Sequence, residues 1–446
     1  MYSNAAVYIA DIAQFYGYYG NTISDSADRA ANRSFPSFAP DFMNSNLAYA
    51  QYDETATNSS ICWAVAGVFV PYQTWMQYGD TTIIADMWDN ICMFMRAFAN
   101  NVYTDGGYTY LFNGGGLADH LSVVSTDSAY CQAVTYVNAL KCCAEMAQAA
   151  GFTEANGYGE YNSYEYFQEL YLGARAEFNE RMINDDFMPT NLLGDVQNTQ
   201  TAFAMPLAWG LVDEENLEGF LANYVAVCAD SGEGIPAYSI TTGFVGTNSV
   251  LNALTDNGEV ETAYSMFECT DYASWLYPVV QGATSIWERW NSFTIEDGFA
   301  GNNGMNSANH YSLGACGSWM MDTQVGIERG DEPGFKHFVL QPTPGGSYTS
   351  LTGSYDSDYG VIESAWTADA GALTSYDCVI PANTTATIYL PVEAEVGELP
   401  AGLTCVGAVE HNGRTATQFE AVSGAYSFVI ADGVITAALQ DGYIAT

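Results

Sequence analysis

Glu288 stands between Trp287 and Trp290 and beside Arg289 in the stretch QGATSIWERW, residues 281–290. A carboxylate walled by indoles has its charged form either destabilised or held by specific hydrogen bonds, the two ways in which acid/base catalysts are tuned. Residues one before and two after Glu288 would not share its face of a helix, so an ordinary amphipathic surface explains the stretch poorly. The plain alternative is a surface glutamate in aromatic company.

Three more segments carry candidate chemistry. Trp63 opens ICWAVAGVFVPYQTWMQYGD, whose terminal Asp80 is expected to cap the next helix. Asp119 and His120 follow three glycines in YLFNGGGLADHL, where Asp119 reads as a helix N-cap or as a pocket residue. Asn306, Asn309 and His310 precede Gly314, Ala315 and Gly317, small residues whose close packing could bring His310 to one rim with Glu288. A core or capping histidine is the other reading of His310. No nucleophile elbow, P-loop, dinucleotide fingerprint or HExxH motif occurs, and none of the ten cysteines has CxxC spacing, so no metal and no cofactor are expected.

The bulk composition narrows the partners. Fifty-two acidic residues against ten basic ones give a net charge of −42, a surface that repels phosphate backbones and anionic lipid. Nucleic acid and membrane are therefore not expected as partners, and neutral or cationic small ligands remain. No basic and apolar leader opens the chain, and no apolar run approaches the ~20 residues of a bilayer span. With cysteines mostly in apolar surroundings, the expectation is free thiols in a reducing, cytoplasmic setting. Asn58 and Asn383 match the glycosylation sequon but carry little weight without an export signal.

These residues need elements to hold them. Apolar spacing of the i, i+3, i+4 kind predicts helices over 3–18, 60–78, 81–101, 124–151, 162–183, 197–210, 214–229, 243–254, 257–268 and 305–326. Past Gly334 the pattern shifts to short runs rich in Val, Ile, Thr and Tyr: FKHFVLQP, YGVIESAWTAD, LTSYDCVIP, TATIYLP, TQFEAVSGAYSFVIADG and VITAAL. The expected architecture is a toroid of helical hairpins over 1–333 followed by an antiparallel β-sandwich over 334–446. Loops at one end of such a toroid form a bowl, and Trp, Tyr, Asp and Glu lining it suit a sugar.

In their order, several segments resemble the bacterial α-L-rhamnosidases of glycoside hydrolase family 78: ICWAVAGVFVPYQTWMQYGD, YLFNGGGLAD, TTGFVGT, YASWLYPVVQGATSIWERWN, MNSANHYSLGACGSWM, GFKHFVLQPTPGG, YGVIESAW and IPANTTATIYLP. The resemblance covers nearly the whole chain. It implies an (α/α)6 barrel with a C-terminal β-sandwich and inverting hydrolysis of terminal α-L-rhamnosyl residues. On it, Glu288 is the general base, His310 contacts the sugar, and Trp63 is a wall of the pocket; Asp119, His120, Trp287, Trp290 and Asn309 are further candidates for binding substrate. The sequence departs from the family pattern at His120, where Trp is usual, and at Val65, where Asp is usual. The family's general acid lies in a segment of the form DxxxRDERxGWxGD, which is absent from these 446 residues and by its order would precede Met1. The expectation is thus a barrel lacking its first helices and impaired in activity as it stands. A non-catalytic carbohydrate-binding barrel and another (α/α)6 glycosidase or lyase remain the alternatives, with oligomeric state open.

Overall fold

A computed structural model describes residues 2–28, 34–41, 60–299 and 305–440. The Asn58 sequon falls outside them. The helical region comprises α1 (Ser3–Ile9), α2 (Ala13–Asp28), α3 (Ile61–Ala64), α4 (Ala66–Tyr78), α5 (Thr82–Ala99), α6 (Ser128–Ala149), α7 (Tyr164–Arg181), α8 (Gln200–Ala208), α9 (Glu214–Ala229), α10 (Val250–Thr255), α11 (Val260–Phe267), α12 (Leu276–Val280) and α13 (Cys316–Trp319).

Burial separates these helices into two rings. α6 and α8 are apolar almost all round and buried nearly throughout, as helices inside a toroid must be. α7 and α9 bury only one stripe, with Phe167, Ala174 and Phe178 in α7 and Phe220, Tyr224 and Val227 in α9. They pack outside α6 and α8 respectively, while α4 packs on α2 and α5, and α13 lies against α1. Caps fix the helix starts: Asp127 accepts from the Tyr130 N–H, Ser163 from Tyr166 and Thr199 from Ala202. The cap expected at Asp80 falls one residue later: Thr81 is the N-cap of α5 without a side-chain cap bond, while Asp80 before it accepts from the Thr82 N–H at 2.9 Å. No helix among the described residues is long and apolar enough to cross a membrane.

Three helix expectations are corrected, and one helix went unexpected. The helix expected over 3–18 is broken between Ile9 and Ala13, and the one over 243–254 is a 3-10 turn, Gly246–Asn248, followed by the short α10. Residues 305–311 are not helical because their backbone pairs with 286–288, and helix resumes only at Ser312 before a π-helical turn, Met320–Val325. The short α12 lacks a long enough periodic run to stand out.

Nine strands follow among the described residues: β1 (Ile327–Glu328), β2 (His337–Leu340), β3 (Ser350–Ser357), β4 (Gly360–Asp369), β5 (Ala372–Leu390), β6 (Glu395–Val396), β7 (Leu403–His411), β8 (Arg414–Ala431) and β9 (Val434–Leu439). LTSYDCVIP and TATIYLP form the single long strand β5, whose register with β8 shifts between Ile380 and Thr385. Pairing is antiparallel except that β2 runs parallel to β5 and β6 to β9. The first half of β5 pairs with β4 and the second with β2, while β8 pairs with β7 and then β9. The halves share one core, in which the rings of Phe419 and Phe428 lie 5.3 Å apart.

Candidate active site

Two zippered pairs of loops build the bowl. In the first, the His310 N–H donates to the Ile286 carbonyl at 2.8 Å and the Glu288 N–H to the Ser307 carbonyl at 2.9 Å. The Ser307 N–H returns to Glu288 Oε2 at 2.7 Å, so backbone fixes this half-buried carboxylate. His310 and Glu288 thus share one rim, held by backbone hydrogen bonds between two loops rather than by helix packing. The Ser312 N–H donates to His310 Nδ1 at 3.3 Å, which places the proton of the neutral ring on Nε2. Burial lowers the His310 pKa from its ordinary value; Glu288 opposes that shift and His120 adds to it.

In the second pair, the Phe244 N–H donates to the His120 carbonyl at 3.0 Å, and the amides of Val123 and Val124 donate to the Thr241 carbonyl. Asp119 is 8% exposed, and both its oxygens are occupied. Oδ1 accepts from the amides of Val245 and Gly246 at 3.0 and 2.8 Å, and Oδ2 from the Gly243 amide at 2.9 Å and the Thr201 hydroxyl. Asp119 caps no helix, since α6 takes its cap from Asp127, and the four donors its oxygens accept from all belong to the protein. Burial raises the Asp119 pKa against the lowering effect of these hydrogen bonds.

Phe244, which sequence reasoning missed, joins the two pairs. Its ring stacks on His310 at 4.8 Å and 22°, and lies 5.5 Å from the His120 ring and 6.3 Å from Trp63. Trp63 and His120 meet edge to face at 6.1 Å, so Trp63, His120, Phe244 and His310 form one aromatic wall. The only sequence signal for Phe244 was its place between small residues in TTGFVGT.

Both indoles beside Glu288 are buried. Trp287 enters a cavity of about 400 Å³ lined by Trp275, Pro278, Ile286, Trp290 and Leu313 but not by Glu288. Trp290 is 3% exposed, packs on Trp275 at 5.7 Å, and donates its indole N–H to the Thr242 carbonyl at 3.1 Å. It braces the Phe244 loop from behind. Asn309 is exposed and only its backbone is engaged, by Ser307, whereas the Asn306 amide holds the Ser292 carbonyl at 2.8 Å. Among the described residues no group of three His, Cys, Asp or Glu side chains could hold a metal ion.

Residues 1–323 match the family model described as the bacterial alpha-L-rhamnosidase six-hairpin glycosidase domain, and residues 326–400 the corresponding C-terminal domain. An alpha-L-rhamnosidase of Streptomyces avermitilis is 29% identical over 332 residues, covering 74% of this chain and 29% of that protein. One from Formosa agariphila is 26% identical over 402 residues, covering 88% and 39%. The chain therefore spans well under half the length of these relatives. The crystal structure of the Streptomyces avermitilis alpha-L-rhamnosidase complexed with L-rhamnose superposes with a TM-score of 0.77 at 25% identity, covering 96% of this chain and 37% of that one. The native Aspergillus terreus enzyme shares the fold with the same TM-score at 23% identity, covering 97% and 45%. This chain belongs to the bacterial alpha-L-rhamnosidases, with the six-hairpin glycosidase domain followed by their C-terminal β-rich domain.

Proposed function

We propose that this chain carries the base half of an inverting α-L-rhamnosidase, acting on terminal α-L-rhamnosyl residues of glycosides or oligosaccharides. The observation that carries the reading is the carboxylate of Glu288, fixed by the Ser307 amide on the same rim as His310. The relative solved with L-rhamnose supports the choice of sugar. Inversion requires one carboxyl to protonate the leaving oxygen and another, across the ring, to activate water. Glu288 takes the proton of that water; its fixed Oε2 orients the carboxylate and leaves Oε1 as acceptor. His310 Nε2–H donates to a sugar hydroxyl, and Trp63 with Phe244 supplies an apolar face for the ring. The division into a helical domain over 1–333 and a β-domain over 334–446 belongs to the same reading. So does a cytoplasmic location, where ten unpaired cysteines, seven of them buried, stay reduced.

A nitrophenyl α-L-rhamnoside isolates the base half, because nitrophenolate departs without protonation. Glu288→Gln is expected to lower its hydrolysis by about 10²–10⁴-fold. Equal activity in the variant would remove Glu288 from the mechanism. A second reading is a barrel that binds sugar without turnover. Saturable L-rhamnose binding in calorimetry with no hydrolysis of any rhamnoside would select it.

A further inference from the structure

The densest polar construction near the bowl is the set of four protein donors around the Asp119 carboxylate. Asp119 gathers three amides from four consecutive residues, Gly243, Val245 and Gly246, and so grips the chain on both sides of Phe244. The remaining amide, that of Phe244, goes to the carbonyl of His120, the neighbour of Asp119. A side chain on Gly243 would meet the His120 carbonyl oxygen at 2.2 Å and that of Asp119 at 2.6 Å, so the two segments are already as close as backbones come. The carboxylate thereby fixes the Phe244 ring, and that ring lies flat on the imidazole of His310.

We propose that Asp119 is a positioning residue: its buried carboxylate sets the Phe244 ring, and through that ring the orientation of His310 beside Glu288. This rests on the reading of Glu288 and His310 as the base and its sugar-binding neighbour, but its consequence for His310 can be measured without any substrate. Asp119 itself stays out of the reaction. Replacing its acceptors should loosen the stacked pair, let water reach His310, and leave the rest of the barrel folded.

The experiment follows the His310 imidazole by proton NMR in the full chain, with four histidines to resolve and His310→Gln to assign the signal. Removing the ring with Phe244→Leu should shift the His310 resonance as the ring current is lost, and raise its titration midpoint toward the ordinary value. Asp119→Asn should move both in the same direction, and the double variant should go no further than Phe244→Leu. Thr201→Val, which removes one of the four donors and keeps the three amides, should produce a fraction of the shift and serves if Asp119→Asn does not fold. In kinetics on an aryl rhamnoside, kcat should fall at least tenfold in Asp119→Asn while KM changes less than threefold. A His310 signal and midpoint unchanged from wild type in folded Asp119→Asn and Thr201→Val would overturn the proposal. Wild-type protein without activity on any rhamnoside would sink the functional reading while leaving the NMR result to decide this one.

Discussion

Asp322 offers a test of the joint between the two regions. It lies in the π-helical turn just before β1, where its Oδ1 accepts from the Thr323 hydroxyl at 3.0 Å and from the Asn252 amide at 3.5 Å. Burial first, and then the charge of Glu328, push its pKa from 3.8 up to about 8, with Arg329 opposing. Native Asp322 therefore keeps a proton that the unfolded chain releases above pH 3.8. The unfolded state binds fewer protons between about pH 4 and 8, and stability falls as pH rises through that window. At about 1.4 kcal/mol per unit, four units would amount to about 6 kcal/mol. Solvent screening at the partly exposed side chain reduces this to about 2 kcal/mol. Asp322→Asn abolishes the titration and retains a hydrogen-bonding side chain. In urea denaturation followed by circular dichroism, the variant should be more stable than wild type by about 2 kcal/mol at pH 8.5 and within about 0.5 kcal/mol of it at pH 4.5. A urea midpoint falling with pH as steeply in the variant as in wild type would refute the reasoning.

Other perturbations separate walls from supports. Trp290→Phe strands the Thr242 carbonyl and loses part of the contact with Trp275, at a cost of about 2–3 kcal/mol in urea denaturation; a tenfold rise in rhamnose Kd with stability unchanged would instead make Trp290 a sugar contact. Gly243→Ala forces the 118–122 and 241–246 backbones apart and should cost about 3 kcal/mol or more, a value that a normal urea midpoint would contradict.

The sequence made the helical region legible wherever long apolar periods allow only one reading, as in α5, α6 and α9. Glu288 and His310 were equally legible as residue types, and their shared rim was anticipated, but not the loop-to-loop hydrogen bonds that create it. Helical periodicity over 305–311 was overridden by backbone hydrogen bonds to 286–288. Asp119 could not be read because its donors come from residues 82 to 127 positions away, which no local pattern encodes. Phe244 was one of 22 phenylalanines and bears no titratable group. In the β-region, β3 was passed over because SLTGSYDS faces solvent along much of its length and lacks the apolar alternation that marks β4.

The long strands β5 and β8 run through both halves of the β-region, each pairing with one neighbour at its start and another at its end. Neither half can therefore melt without withdrawing hydrogen-bond partners from the other. Amide exchange at Tyr376 and at Ile388, on opposite sides of the register shift, should proceed through the same opening event and slow down together when either half is stabilised. A single excess-heat peak is expected for the whole β-region, with no plateau at which one layer outlives the other.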